Sequence, residues 1–149
     1  MHRDLTAIKS GAIADGGLYR GKAVSPGFTK IVEPATIISV MLVLEDGQIA
    51  FGDCADVILA GVAGRDPAFN ARDHIDYLRG EIADALRGRD VAQFRPHAGE
   101  MDNYSRGGRR LHTAIRYGIT QALLHATALS RKQTMAEVIA REYDCTIAT

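Results

Sequence analysis

The sequence predicts an α+β fold in which antiparallel strands come first and helices follow. Residues 28–54 contain short apolar runs that are broken by turn signals, and residues 67–143 contain apolar side chains at three- and four-residue spacings. The two patterns do not alternate along the chain, which favours α+β over α/β. With 149 residues, 46% of them hydrophobic, the chain has the size of one domain with a buried core.

The strongest strand signal is a hairpin. The apolar, β-branched run at residues 37–44 is too short to span a membrane and predicts a buried strand. Asp46-Gly47 predicts a type I′ turn, which needs φ > 0 at both central residues. Residues 48–53 predict the returning strand, because Ile49 and Phe51 alternate with small or polar residues as in a half-buried strand.

The residues on either side of this hairpin are predicted from composition. Residues 1–27 are rich in glycine and lack a sustained period, which predicts a loop-rich lead. Residues 28–33 alternate apolar and polar side chains and predict a further strand, which Pro34 interrupts. Residues 55–66 follow the hairpin as an apolar loop with few charges. A loop of that composition is expected to cover another surface.

The first half of the helical region predicts two helices. Asp66-Pro67 is typical of an N-cap followed by proline at the first helical position, and Gly88 is typical of the residue just past a helix end. A weaker helical stretch follows Pro96 as far as Tyr104. Residues 105–108 contain two glycines and are expected to be a flexible connection.

The second half contains the strongest helix of the chain. Apolar residues recur from Leu111 to Leu129 over about five turns, and Gly118 on this face permits the close approach of another element. Thr134 and Glu137 then form a capping box, which predicts the start of a short last helix. Residues 67–143 are therefore expected to form a bundle of three to four helices.

Composition argues against several partners. Eighteen Lys and Arg balance eighteen Asp and Glu, without a basic block, so nucleic acid is an unexpected partner. The chain shows neither a secretory leader pattern nor a membrane-spanning run, and we expect a cytoplasmic protein without a membrane partner. Cys54 and Cys145 lack the spacing of a zinc site or a disulfide framework and are expected to be reduced structural thiols.

The residues alone indicate no convincing active site. The five histidines form no HxxxH or HExxH motif, and there is no P-loop, GxGxxG or GxSxG sequence. Asp53 and Cys54 at a strand end are a candidate site, with local backbone bonding and packing as the alternative. Arg109, Arg110 and Arg116 are candidates for carboxylate binding, with a solvated face or a domain contact as the alternative.

Three segments carry a family resemblance: LVLEDGQIAFGDCADV, AGVAGRDPAF and RLHTAIRYGITQA. They resemble the amino-terminal domain of methylaspartate ammonia-lyases, members of the enolase superfamily, and the similarity extends from Ala7 to Tyr143. The resemblance implies an enolase-superfamily N-terminal-like domain, with an antiparallel β-meander before the helical bundle. It implies that residues 1–149 are one capping domain, that residues 55–66 are its capping loop, and that the catalytic (β/α) barrel is absent.

The same resemblance implies a chemistry that lies outside the matched region. Methylaspartate ammonia-lyases are carbon–nitrogen lyases that convert 3-methylaspartate to mesaconate and ammonia in glutamate degradation. A magnesium ion on barrel carboxylates, with a barrel Lys and His as bases, performs the reaction. We therefore expect no catalytic residue, metal ligand or cofactor in this chain, and no activity until a catalytic barrel domain or subunit joins it, with a small amino-acid substrate at the interface.

The resemblance also points to substrate-binding residues. Ile58 falls where the family carries a Gln that reaches the substrate from the capping loop, and Val57 and Leu59 flank it. An isoleucine cannot hydrogen-bond a carboxylate. It indicates relaxed recognition, a different substrate, or lost selection on a non-functional fragment.

Two other functions remain as alternatives. One is a non-catalytic interaction module or truncated remnant, whose exposed surface drives self-association into a homo-oligomer. The other is a small self-sufficient enzyme that uses Asp53 and Cys54.

Overall fold

The computed structural model describes residues 1–56 and 66–147, and it confirms the α+β fold. The helical region also contains a 3₁₀ turn at Ala71–Asp73 and a π-helical segment at Leu78–Ile82. The strands and α-helices, in chain order, are β1 (His2–Arg3), α1 (Leu5–Lys9), β2 (Ile13–Asp15), β3 (Leu18–Arg20), β4 (Val32–Glu33), β5 (Ile38–Val43), β6 (Ile49–Cys54), α2 (Ile75–Tyr77), α3 (Ala83–Leu86), α4 (Phe94–Asn103), β7 (Ser105–Arg106), β8 (Arg109–Arg110), α5 (Thr113–Arg131) and α6 (Met135–Glu142).

The predicted hairpin is formed by β5 and β6. The strands are antiparallel, with Ile38 opposite Cys54. The type I′ prediction for its turn was wrong, because Gly47 has φ +86° whereas Asp46 has no positive φ. The Gly47 N–H donates to the Leu44 carbonyl at 3.0 Å, and the Leu44 N–H donates to the Gln48 carbonyl at 2.9 Å. The connection is therefore a three-residue loop whose last residue is left-handed.

The buried side of β6 is the side with the smaller residues. Ala50, Gly52 and Cys54 are buried, whereas Ile49 and Phe51 are 43% and 48% exposed. The reason is the close passage of α5 across β6. A Cβ on Gly52 would lie 2.6 Å from the Ala122 nitrogen, so the buried side of the strand accepts only small residues.

The two edges of this hairpin differ. On β6, the outward N–H groups of Phe51 and Asp53 donate to His125 Nδ1 at 3.0 Å and to Gln121 Oε1 at 3.1 Å. On β5, the N–H and C=O groups of alternate residues such as Met41 point away from β6. No described strand pairs with that edge of β5. Beside it lies a cleft of about 340 Å³ that α2 and α3 help to line.

Residues 1–33 are more regular than the glycine content predicted. They contain α1, the small β2–β3 hairpin, and a two-residue pairing of β1 with β4. Of the strand predicted at residues 28–33, only Val32 and Glu33 are extended and paired. The described strands pair two by two, so a continuous meander is not formed within residues 1–56 and 66–147.

Asp4 holds this N-terminal part together. Its fully buried carboxylate accepts the Ala7 N–H at 3.1 Å, the Val24 N–H at 2.6 Å, and both the N–H (2.9 Å) and the hydroxyl (2.7 Å) of Ser25. Burial alone would raise the pKa of Asp4, but these donors outweigh it and lower the pKa to about 2. One side chain thus joins α1 to residues that follow it by about twenty positions.

The first predicted helices are confirmed with shifted boundaries. Asp66 does not cap a helix at residue 67. Asn70 caps the 3₁₀ turn instead, and α2 begins at Ile75. Gly88 has φ +73° just past α3, as predicted. Helix α4 begins two residues before Pro96.

The segment predicted to be flexible, residues 105–108, forms strand β7 and the turn of the β7–β8 hairpin. Gly107 and Gly108 have φ values of +59° and +77°. Positive φ at both central residues is the requirement of a type I′ turn, which explains why two glycines occur here.

The long helix and the last helix form as predicted. Helix α5 begins after His112 and ends at Arg131, and the capping box of Thr134 and Glu137 opens α6. The main core lies between the hairpin and the helices. Its larger buried side chains are Phe69, Ile82, Phe94, Met101, Leu111, Ile115, Ile119, Leu123 and Val138.

Candidate functional site

The predicted substrate-binding residues Val57, Ile58 and Leu59 lie outside the described residues. The structure does describe the residues on either side of positions 57–65, which we call the two flanks. The first flank is Asp56 and the second is Asp66 with the residues that follow it.

The first flank is held by a buried carboxylate. Asp56 Oδ2 accepts the Phe69 N–H at 3.0 Å and lies 3.5 Å from His2 Nδ1. The side chains of His2 and Asp56 are only 6% and 4% exposed. This pair connects β1, the end of β6 and the residues beyond position 65.

The second flank is held by another carboxylate. Asp66 Oδ2 accepts the Thr113 N–H at 3.0 Å and the Thr113 hydroxyl at 2.5 Å, at the first residue of α5. Burial acts to raise the pKa of Asp66, but the two Thr113 donors, with His112 and Arg116 nearby, hold that pKa below its usual value. Asp66 therefore stabilises the start of a helix distant in sequence.

Histidine rings and aromatic rings pack behind this flank. The Phe69 ring stacks on the His74 ring with centroids 5.0 Å apart, and His74 Nδ1 lies 3.0 Å from the Tyr77 hydroxyl. His112 Nδ1 accepts the Ala114 N–H at 3.0 Å, and its Nε2 lies 2.9 Å from the Pro67 carbonyl. These contacts join the Pro67 backbone to the start of α5.

The pKa of His74 is shifted by this packing. Burial lowers it below its ordinary value, and the neighbouring His112 lowers it further. The sequence motifs test the histidines only as metal ligands. The aromatic residues Phe69 and Tyr77, at five and three positions from His74, were the signal for a packing role.

The candidate enzyme site at Asp53 and Cys54 is not supported. Cys54 is fully buried, and burial, with a smaller contribution from the Asp53 charge, raises its pKa to about 12. A thiol with that pKa is no nucleophile at neutral pH. Asp53 Oδ1 accepts the Ser39 hydroxyl at 2.7 Å across the hairpin, so each residue serves the structure.

Two of the three candidate arginines, Arg110 and Arg116, are engaged within the domain. Arg110 and Arg116 both bind the Asp102 carboxylate, at 2.7 Å and 2.6 Å. Arg116 further donates to the Leu111 carbonyl and the Thr113 hydroxyl. These ion pairs join α4 to β8 and to α5, as in the domain-contact alternative.

Within residues 1–56 and 66–147, no group of three or more His, Cys, Asp or Glu side chains is arranged to hold a metal ion. None of the described helices is both long enough and apolar enough to cross a membrane.

The fold and the flanks together define a class of protein. It is an α+β domain in which carboxylates hold the residues on both sides of an apolar segment. The chain belongs to the methylaspartate ammonia-lyase N-terminus family, whose model matches residues 1–144.

Curated relatives give the same assignment. The chain is 55% identical over 141 residues to the methylaspartate ammonia-lyase of Clostridium tetanomorphum, and the match covers 95% of this chain and 34% of that enzyme. It is 46% identical over 149 residues to the enzyme of the same name from Haloarcula marismortui, covering 98% and 35%. The chain thus spans about a third of the length of these relatives.

Solved structures share the fold. β-Methylaspartase from Clostridium tetanomorphum, solved as a Mg complex, superposes with a TM-score of 0.88 at 52% identity, over 99% of this chain and 36% of that one. Methylaspartate ammonia-lyase from Citrobacter amalonaticus, solved with (2S,3S)-3-methylaspartic acid, has a TM-score of 0.86 at 45% identity, over 96% and 35%.

Proposed function

We propose that this chain is the substrate-enclosing N-terminal domain of a methylaspartate ammonia-lyase and acts together with a catalytic barrel. The observation that carries the proposal is the family match over residues 1–144, with a TM-score of 0.88 over 99% of the chain. The reaction is elimination of ammonia from 3-methylaspartate to give mesaconate. The barrel supplies the bases and binds magnesium, and the substrate lies between the two parts.

In this proposal the predicted capping loop, residues 55–66, covers the substrate. Closing an active site with apolar residues excludes water and strengthens the electrostatic interactions inside it. The described contacts support such a role, since Asp56 and Asp66 fix the two flanks to β1 and α5. The domain then acts by positioning a cover, and proton transfer belongs to the barrel.

Limited proteolysis tests the enclosure. Arg65 is the single tryptic site within residues 55–65, so cleavage there reports access to this segment. We expect slower cleavage at Arg65 when the C-terminal part of the Clostridium tetanomorphum enzyme and 3-methylaspartate are both present. Cleavage at Arg20, in the exposed strand β3, serves as the control. An unchanged rate at Arg65 in the ternary mixture would contradict the proposal.

A substitution at Ile58 tests whether this residue contacts the substrate. If the Ile58 side chain faces the substrate, Ile58→Gln restores an amide that hydrogen-bonds a carboxylate, and KM for 3-methylaspartate should fall in the assembled enzyme. Leu59→Gln introduces the same side chain one position away and is the matched control. Equal KM values for Ile58→Gln and the parent would remove Ile58 from the proposed site.

The proposal places the chain in the cytoplasm. Both cysteines, Cys54 and Cys145, are free thiols in the structure. Reduced thiols are usual in a reducing compartment. Expression with a fluorescent tag followed by fractionation checks the location.

Self-association is the second candidate function, and one observation favours it. Met41 and Val43 lie opposite Phe51 and Ile49 on the outer face of the hairpin, and all four are exposed. No described strand pairs with the adjacent edge of β5, and exposed apolar edges promote association between chains. Sedimentation velocity should show a species that grows with concentration and is lost in Met41→Lys but kept in Ile13→Lys. A monomer at every concentration would exclude this function.

A further inference from the structure

An apolar groove of about 530 Å³ lies between α5 and α6. Phe94, Leu124 and Ile139 are among the residues that line it. Tyr117 on α5 and Met135 on α6 also line it, and they remain 59% and 42% exposed. Large apolar side chains that line a groove and stay exposed mark a surface that binds another molecule.

Two polar side chains of the groove, Thr120 and Gln121, form hydrogen bonds within the domain. The Thr120 hydroxyl donates to the Arg116 carbonyl at 2.8 Å. Gln121 Oε1 accepts the Asp53 N–H. The groove therefore offers mainly apolar contact, which suits a packed protein interface better than a charged small ligand.

The path of the chain indicates what lies in the groove. Cys145, Thr146 and Ile147 run along it and are the last described residues. The family model describes an N-terminus and matches as far as residue 144, and the relatives are about three times as long as the match. A chain that continues beyond residue 147, to the length of those relatives, would leave the domain at this groove.

We infer that the α5–α6 groove is the docking surface for the C-terminal catalytic part of a methylaspartate ammonia-lyase, an inference that rests on the proposed function. Interfaces between domains bury roughly 600–1,500 Å². In this interface the groove supplies the apolar centre, and polar residues around it complete the contact. The partner inserts apolar side chains between Tyr117 and Met135. A covalent link between the two parts raises the local concentration of the partner at this site.

Cys145 is a built-in reporter for this docking. It is exposed at the groove, whereas Cys54 is buried and its pKa is raised to about 12, so alkylation of the native chain is confined to Cys145. The test compares the isolated chain with a chimera in which it replaces the N-terminal third of the Clostridium tetanomorphum enzyme. Iodoacetamide labelling of Cys145, measured by peptide mass spectrometry, should be at least about tenfold slower in the chimera.

Two variants test the groove itself. Tyr117→Glu and Met135→Glu place a charge in the groove at exposed positions, where folding tolerates it. In the chimera each should restore Cys145 labelling toward the rate of the isolated chain and lower the rate of mesaconate formation. Ile13→Glu adds the same charge to an exposed residue outside the groove and should change neither.

The outcomes separate this inference from the proposed function. An active chimera in which Cys145 reacts as fast as in the isolated chain would overturn the docking surface and leave the proposed function intact. An active chimera in which both groove variants behave like Ile13→Glu would do the same. A folded chimera that forms no mesaconate would contradict the proposed function, and the inference with it.

Discussion

Gly52 on β6 and Gly118 on α5 face each other with no room for a side chain on either. A Cβ on Gly118 would lie 2.5 Å from Cys54 Sγ and 2.6 Å from the Cys54 nitrogen. A Cβ on Gly52 would collide with the Gly118 carbonyl oxygen. Neither glycine has a positive φ, so the requirement is one of space. This contact sets the distance between the hairpin and the long helix.

Gly118→Ala should destabilise the domain by more than about 3 kcal/mol, because the contacted atoms include backbone that cannot move aside. Urea unfolding followed by circular dichroism measures the change. Gly99→Ala is the matched control, since Gly99 lies in α4 with open space around it, and it should raise stability by about 0.5–1 kcal/mol. Similar stabilities for the two variants would contradict the packing described here.

Cys54 should be inert in the native chain. Its burial and its pKa of about 12 leave almost no thiolate at neutral pH. Titration with a thiol reagent should therefore detect one reactive thiol per chain before unfolding and two after it. Rapid reaction of Cys54 in the folded chain would revive the candidate enzyme site at Asp53 and Cys54.

Asp4→Ala should loosen the N-terminal part. The change leaves three backbone N–H groups and the Ser25 hydroxyl without their acceptor, which should cost more than about 2 kcal/mol. Asp15→Ala removes an exposed carboxylate that pairs with Arg20, and it should cost less than about 1 kcal/mol. Hydrogen exchange of the Val24 and Ser25 amides locates the effect. Equal exchange rates in the two variants would argue against the role of Asp4.

Stability should fall as the pH drops below about 6.5. Folding lowers the pKa of His74 from 6.5, so between 6.5 and the lowered value the unfolded chain binds more protons than the folded chain. Above 6.5 this contribution is constant. The lowered pKa values of Asp4 and Asp66 act only below about 4, outside this window.

Denaturant unfolding at several pH values measures this dependence, and His74→Gln should flatten it. A parent protein with equal stability at pH 5 and pH 7 would contradict the environment described for His74.

Features that depend on local sequence could be predicted. The capping box of Thr134 and Glu137, the end of a helix at Gly88 and the long helix α5 all follow from signals within a few residues. The Gly107-Gly108 hairpin also had a local signal, since two glycines suit a type I′ turn, and it was missed.

Features that depend on distant residues could not be predicted. Which side of β6 is buried follows from the approach of Gly118, more than sixty residues away. Asp66 resembles the cap of the next helix, but its partner is Thr113. Likewise, the contact of Asp56 with His2 and Phe69 joins three separate parts of the chain. Such contacts are tertiary and leave no periodic pattern in the sequence.

The most direct test of the central claim is a complementation assay. Mesaconate formation from 3-methylaspartate and magnesium is followed by ultraviolet absorbance, with this chain alone, with the C-terminal part of the Clostridium tetanomorphum enzyme alone, and with both. Circular dichroism first verifies that each part is folded. We expect activity only in the mixture, because the cover and the catalytic groups belong to different parts. A mixture no more active than the C-terminal part alone, or activity from this chain alone, would contradict the account.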